Sequence, residues 1–528
     1  MNDNRLYLFD TTLRDGAQTQ GVDFNIADKA AIARDLDALG IDYVEGGWPG
    51  ANPTDDGFFA DPPALSRARL TAFGMTRRAG RSAANDPGLA VTLRSCVDTI
   101  CLVGKSDARH AEQALGVSLD ENLAMIRDSV AEIVRRNKEA LFDAEHFFDG
   151  YKANPDYALK VLETALDAGA RWVVLCDTNG GTLPHEIEAA VATAAQVVPG
   201  ARLGIHTHND TGNAVANTLA AVRAGVRQVQ GTLNGLGERC GNADLVALLP
   251  TLTLKMGFET GVPADGLVRL TQVSRAFDER LNRPSNRHAP YVGVSAFAHK
   301  AGLHVSAVEK DPGFYEHIVP EAVGNKRQIL VSDQSGRANI LARFREIGLD
   351  VDRDDPRVAR LVDLVKEREF QGYAYDGAVA SFELLARRML QTVPDYWSLD
   401  SFRVTDERRF NARRELVTMS EAVVKLSVDG RRSMQVAEGN GPVNALDAAL
   451  RLALLPDYAC LEGVRLTDYR VRILTPGDGT AAVTRVLIES TDETGARWTT
   501  VGVSGNIINA SYEALNDSLT YKLLNAER

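Results

Sequence analysis

The 528-residue chain is poor in cysteine, in aromatic residues and in long apolar runs, and each shortage removes a class of protein. Its five cysteines (Cys96, Cys101, Cys176, Cys240 and Cys460) are odd in number and show no C-x-x-C spacing. That argues against a disulfide scaffold and a thiolate zinc site, and fits a reducing cytosol. No apolar run reaches the roughly 18 residues that a membrane-spanning helix needs. The opening MNDNRLYLFD passes from polar residues straight into a strand-like stretch, with no charged-then-apolar leader, so the expectation is a soluble, untargeted, cytoplasmic protein. Positive charge is scarce as well. Lys and Arg number 59 against 71 Asp and Glu, a net charge of −12. Such diffuse acidity argues against nucleic acid or an anionic membrane as the main partner, yet leaves room for an anionic ligand at a local cluster of donors.

What is present is a packed protein. Hydrophobic residues make up 45% and charged residues 25%, which excludes extended disorder. At about 150 residues per domain the length suggests three or four domains, with core enough that no disulfide or metal staple is required.

From residue 1 to about 275, short apolar runs alternate with amphipathic stretches. The runs are LYLFDTTL (6–13), YVEGGWP (43–49), RLTAFGM (69–75), TICLVG (99–104), EALFDAEHF (139–147), RWVVLCDTNG (171–180), RLGIHTHND (202–210) and QVQGTLNG (228–235). Segments such as IADKAAIARDLDALG between them carry apolar residues at helical spacing and end in glycine. Eight strand–helix pairs predict a (β/α)8 barrel. An open doubly wound sheet is the alternative, but GLGERCG (235–241) does not carry the glycine spacing of a dinucleotide loop. Residues 276–400 read as a helical connector with one functional loop, its helices in RANILARFREIG, RVARLVDLVKERE and DGAVASFELLARRML. Residues 401–528 alternate with period 2 in EAVVKLSV, YRVRILT, TRVLIEST and WTTVGVS, with helices in NALDAALRLALL and NIINASYEALNDSLTYKLL. The order predicts two similar α+β halves folded face to face, in a ligand-sensing or dimerisation role.

In a barrel, chemistry sits where strands end. Those ends supply Arg14 and Asp15, Glu45, Glu145 and His146, Asp177 and Thr178, and His206 with His208, before the Gly-rich GLGERCGN. His206 and His208 alternate along a strand and so face one way, a metal-ligand spacing completed by a carboxylate such as Asp15. A hydrogen-bonded imidazole pair is the plainer alternative. Two imidazoles, one carboxylate and waters suit Mg²⁺ or Mn²⁺, with Zn²⁺ as an alternative. Arg14 beside the ion would bind a keto-acid carboxylate or carbonyl and stabilise a forming alkoxide; otherwise it makes a structural bridge. Glu145 is a catalytic or orienting carboxylate, or the partner of Arg14.

DTTLRDGAQ (10–18), GIHTHNDTGNAVAN (204–217) and NGLGERCGNADL (234–245), in this order, resemble the acyl-CoA-condensing metal enzymes: the 2-isopropylmalate, homocitrate and citramalate synthases, with 3-hydroxy-3-methylglutaryl-CoA lyase as a relative. EHFFDGYK (145–152), AFAHKAGLHVSAV (296–308), YEHIVPEAVGN (315–325) and WTTVGVSGNIINASYEAL (498–515) look most like the (R)-citramalate branch. The resemblance implies that Asp15, His206 and His208 hold the metal, with Asn242 as a further or water-mediated ligand. It implies that Arg14 polarises the α-keto acid, that Thr178 and Gln18 help to bind it, and that Glu145 acts with Arg14. His299 and Tyr315 would lie near the acetyl thioester, reaching the barrel of a second copy, so that a homodimer is the active unit. Two departures stand out: His299-Lys300-Ala301 replaces the usual H-Q-D, and Asp143 stands where some citramalate enzymes carry tyrosine. The implied reaction joins acetyl-CoA to pyruvate and hydrolyses the thioester, an entry to isoleucine synthesis, with isoleucine as the expected effector of the C-terminal domain. Rival readings are the 2-oxoisovalerate and 2-oxoglutarate enzymes, a retro-Claisen lyase, and a non-catalytic amino-acid-binding regulator.

Overall fold

The computed structural model describes residues 4–332, 336–349, 351–352, 354–390, 392–410 and 412–526. They form two compact units. One runs up to Phe297 and takes in His317–Arg327; the other comprises Ala298–Glu316 and the described residues from Gln328 onward.

The first unit is a closed barrel of eight parallel strands in sequential order. These are β1 (Tyr7–Asp10), β2 (Tyr43–Gly47), β3 (Arg69–Met75), β4 (Thr99–Lys105), β5 (Glu139–Glu145), β6 (Trp172–Asp177), β7 (Leu203–Thr207) and β8 (Gln228–Gly231). Each falls within or overlaps its expected run, and the closed barrel prevails over the open sheet. Alternation along the strands sorts the side chains into two cores. Leu8, Val44, Leu102, Phe142, Val173, Ile205 and Val229 point outward beneath the helices. Phe9, Tyr43, Cys101, Leu141, Trp172, Val174 and Cys176 point inward and plug the barrel. Burying Trp172 and Tyr43 is tolerable because their polar atoms are used: Trp172 Nε1 donates to Tyr43 Oη at 3.3 Å, and Tyr43 Oη to Glu139 Oε1 at 2.7 Å. The plug forces the next inward residues along each strand to stand above it, at the C-terminal mouth. The helices are well started. Asn25 and Asp28 form a reciprocal capping box at helix Ile26–Leu39, which ends at Gly40 with φ of 94°.

In the second unit, helices Arg337–Glu346, Pro356–Phe370 and Val379–Met389 occupy the expected connector positions. Short strands β9 (Ala298–His299) and β10 (Gln328–Ile329) pair in parallel. Two three-stranded antiparallel sheets follow, β11 (Ser398–Phe410), β12 (Leu416–Val428) and β13 (Arg431–Gly439), then β14 (Arg465–Ile473), β15 (Thr484–Thr491) and β16 (Arg497–Ser504). Helix Pro442–Leu454 follows the first sheet and helix Ile507–Ala526 the second, and both halves share one core that includes Val424, Leu426, Val486 and Ile488. This is the expected pair of α+β halves, with β11 and β13 as strands that the apolar pattern did not mark. No described helix is long and apolar enough to cross a membrane.

Candidate active site and metal centre

Two strand ends bring the three expected metal ligands together. His206 and His208 project inward from β7 and its end, and Asp15 follows the loop after β1. Their ligand atoms all lie within 4.8 Å of one another, and all three residues are buried. The two Nε2 atoms are 3.2 Å apart, and Asp15 Oδ2 lies 3.2 Å from that of His206 and 3.8 Å from that of His208. Ligands on adjacent vertices of an octahedron with bonds of about 2.1 Å sit about 3.0 Å apart, so this spacing fits a metal held on one face. The surroundings set the donors correctly. Gln230 Nε2 donates to Asp143 Oδ1 at 3.1 Å, turning Gln230 Oε1 toward His206 Nδ1 at 2.9 Å. Nδ1 therefore carries a proton and Nε2 is the atom turned to the cluster, where, against the effect of burial, Asp15 raises the His206 pKa. Burial and the neighbouring His206 lower the His208 pKa to about 4, keeping it neutral. Burial alone would raise the Asp15 carboxyl, yet Arg14 and the two imidazoles hold it well below the usual range.

Asn242 presents its amide nitrogen to the cluster: Nδ2 donates to Asp15 Oδ2 at 3.0 Å and lies 3.3 Å from His206 Nε2. In this arrangement it orients Asp15, where a ligating oxygen was expected. Its Oδ1 lies where a Cβ on Gly237 would come within 1.8 Å, and it is buried without a hydrogen-bond partner among the described residues.

Arg14 is fixed by Glu45, not Glu145. Its Nε donates to Glu45 Oε2 at 2.7 Å, its guanidinium lies 4.1 Å over the Phe73 ring, and Nη1 stands 3.7 Å from Asp15. Burial drives the Glu45 pKa up to about 7 against the pull of Arg14. Glu145 pairs instead with Lys105, at the end of β4. The expectation that Glu145 is the partner of Arg14 is thereby corrected: Glu45 comes from the strand adjacent to β1, whereas β5 is across the barrel.

Arg14, Asp15, Gln18, Glu145, Thr178, His206 and His208 all line one cavity of about 310 Å³, walled by Trp48, Phe73, Met75 and Val103. Thr178 Oγ1 accepts the His146 N–H at 2.9 Å. His146 itself adopts φ of 59° and starts helix Phe147–Ala153. Asp177 does not join the mouth. It follows inward-facing Cys176, so alternation sends it outward, where Thr182 Oγ1 donates to it at 2.8 Å. Lys105 and Arg239 line the cavity without having been singled out as site residues, and Asp143, noted as a departure from the family pattern, lines it too. Lys105 lies one residue beyond the expected end of its strand, and Arg239, at φ of 56°, donates to Thr178 O at 2.7 Å.

His299 and Tyr315 belong to the second unit. His299 is buried with Nε2 at 3.1 Å from Glu316 Oε1, so a carboxylate distant in sequence attends the imidazole although H-Q-D is absent. Tyr315 is exposed and lies against His304, ring centroids 4.2 Å apart.

Comparison with known proteins bears on this geometry. The HMGL-like family matches residues 5–273, a homocitrate synthase post-HMGL domain-like family residues 291–371, and the LeuA allosteric (dimerisation) domain residues 377–523. An (R)-citramalate synthase of Aquifex aeolicus is 49% identical over 99% of this chain and 98% of its own. One from Streptomyces coelicolor is 51% identical over the same shares. A 2-isopropylmalate synthase of Pectobacterium atrosepticum is 30% identical, covering 97% of this chain and 92% of its own.

Proposed function

The chain belongs to the HMGL-like family, among its (R)-citramalate synthases, and from that premise we propose that it condenses acetyl-CoA with pyruvate and hydrolyses the thioester, releasing (R)-citramalate and CoA. The observation that carries the reading is the convergence of Asp15, His206 and His208 beside a fixed arginine in one cavity, and the choice of pyruvate rests on the likeness to the (R)-citramalate synthases. A divalent ion held by these three residues, magnesium or manganese with zinc as the alternative, would supply Lewis-acid polarisation of the keto group.

The chain's own groups do the rest. Arg14, immobilised by Glu45 and Phe73, keeps its remaining N–H groups for the keto oxygen and for the negative charge that grows there. Thr178 already accepts an amide N–H, so its hydroxyl proton is available to the pyruvate carboxylate, with Gln18 beside it. Glu145, neutralised by Lys105, orients the reacting end together with Arg14. His299 donates Nε2–H to Glu316, which leaves Nδ1 to receive the methyl proton of the acetyl group, with Tyr315 near the thioester. In the homodimer that the resemblance implies, His299 and Tyr315 serve the other copy. We assign isoleucine sensing to the C-terminal domain and place the protein in the cytoplasm.

The test is release of the CoA thiol from acetyl-CoA with pyruvate, 2-oxoisovalerate or 2-oxoglutarate, with citramalate identified as product. Pyruvate should exceed the others by about tenfold or more in kcat/KM. A preference for 2-oxoisovalerate or 2-oxoglutarate would replace the reading by the 2-isopropylmalate or homocitrate reaction. Arg14→Ala should lower kcat by about 10²-fold, the scale of one lost preorganised donor.

A further inference from the structure

Above the apolar plug, the inward positions of the barrel turn polar. Asp143 stands two residues after the plug residue Leu141 on β5, so alternation points both inward. Gln230 on β8 and His206 on β7 join it, and all three are buried. Strands β5 and β8 are not neighbours in the barrel, so the hydrogen bond between Asp143 and Gln230 crosses its interior. Cys101, in the plug on β4, also donates to the Asp143 carboxyl. The reaction proposed above gives neither Asp143 nor Gln230 a task.

A glutamine amide has one donating end and one accepting end, and only one orientation serves both neighbours here. Nε2 donates to Asp143 Oδ1 at 3.1 Å, which leaves Oε1 facing His206 Nδ1 at 2.9 Å. Without an acceptor at position 143 the amide is free to turn over. It then presents Nε2–H to Nδ1 and drives the imidazole proton to Nε2, the atom aimed at Asp15 and His208. The relay does not require a charge on Asp143, since a carboxyl keeps one accepting oxygen even when protonated. His208 has no such hold: its Nδ1 is buried with no hydrogen-bond partner among the described residues. Gln228, two residues before Gln230, is buried with neither amide atom partnered among the described residues. Fixed orientation is thus particular to Gln230, and it is spent on one of the two imidazoles.

We propose that Asp143 and Gln230 are positioning residues for the divalent ion: Asp143 fixes the Gln230 amide, and Gln230 holds His206 with Nε2 open to ligate. This rests on the metal site within the function proposed above and adds what keeps one of its ligands in the binding tautomer. Asp143 also lines the reacting cavity, so the rival role is contact with the keto acid.

The experiment titrates Co²⁺ calorimetrically into the metal-stripped, full-length protein and records the visible absorption of the bound ion. Gln230→Met keeps the side-chain size and removes both amide atoms, so Co²⁺ should bind about tenfold to a hundredfold more weakly, with a shifted absorption band. Asp143→Leu should weaken binding over the same range. Asp143→Asn keeps an oxygen to accept from Gln230 and should stay within about threefold of wild type. Added to Gln230→Met, Asp143→Leu should cost about twofold or less, because both act through one amide. With the ion saturating, KM for pyruvate should stay within about twofold in each variant. Unchanged Co²⁺ affinity in a folded Gln230→Met protein would overturn the proposal, as would additive losses in the double variant. So would Asp143→Asn proving as damaging as Asp143→Leu, or a raised KM for pyruvate with Co²⁺ affinity intact, which would make Asp143 a substrate contact. If Asp143→Leu does not fold, Gln230→Met and Asp143→Asn still decide. A wild type that binds Co²⁺ but condenses no keto acid would remove the reaction and leave this assignment to the titrations; one that binds no Co²⁺ would overturn both.

Discussion

The barrel and the C-terminal sheets both rest on strand alternation, yet they bury different chemistry. Inside the barrel mouth, Glu45, Asp143, Gln230, His206 and His208 are all buried on inward faces. In β12 and β15 the buried face is Ala422, Val424, Leu426, Val428, Val486 and Ile488, joined by the hydroxyls of Ser420 and Ser490. Burying charge costs stability unless each group is paired, and the barrel meets that cost with Arg14–Glu45, His206–Gln230–Asp143 and Lys105–Glu145. The sheets bury what packs. One region trades stability for reactivity, and the other spends nothing on it. Substitutions should therefore separate the two: in the mouth they should strike activity, and in the sheets only cohesion.

The sharpest separation is at the proposed metal site. His208→Ala removes one of the three proposed ligating atoms and also relieves the close approach of two imidazoles 3.2 Å apart. Turnover in the thiol-release assay should fall by about 10³-fold or more, and bound divalent ion, measured by elemental analysis, should fall with it. The melting temperature of the metal-stripped protein should hold or rise. Unchanged metal content would remove His208 from the ligand set, and a collapsed metal-free fold would end the contrast with the sheets.

A buried carboxyl on the other side of the strand gives a smaller effect, visible through pH. Asp10, at the end of β1, is fully buried, and desolvation outweighs its bonds from Thr12 to bring its pKa up to about 7. Between the unfolded carboxyl value near 4 and about 7, the folded protein holds a proton that the unfolded chain has lost. Stability from this group is thus full below about pH 4 and is lost as pH rises to 7. Asp10→Asn keeps an acceptor for Thr12 and cannot ionise. Denaturant unfolding should show the variant losing about 3 kcal/mol less than the wild type across that range. Equal slopes would mean that Asp10 is not held above its usual range.

The same contrast explains what could be read from the sequence. The eight barrel strands are short, nearly continuous apolar runs ending in polar residues, so both their positions and most of the polar residues that meet at the mouth were legible. Asp177 was misjudged because strand-end position alone was used; the alternation that paired His206 with His208 turns Asp177 the other way. β11 and β13 left no apolar trace: SLDSFRVTDERRF and RRSMQVAEG are largely exposed edge strands, held by backbone ladders to β12. Glu316 could not be assigned to His299, since the contact spans 17 residues and depends on the fold around β9. Lys105 and the pairing of Arg14 with Glu45 depend on which strands are neighbours, which periodicity does not tell.

The smallest effect tests the apolar side of the comparison. Ile488 on β15 is fully buried in the core shared by both C-terminal halves, with Val424, Leu426 and helix Ile507–Ala526 around it. Ile488→Val deletes one methylene and leaves no polar group exposed, so the loss should be about 0.5–1.5 kcal/mol in denaturant unfolding. Among the described residues none of the proposed catalytic groups belongs to that core, so kcat with pyruvate should stay within about twofold of wild type. Because Ile488 lies in the core shared by the two halves, any response to an amino-acid effector should weaken before catalysis does. If kcat falls together with stability, the sheets are coupled to the mouth, and the division of labour between apolar cohesion and polar reactivity does not hold for this chain.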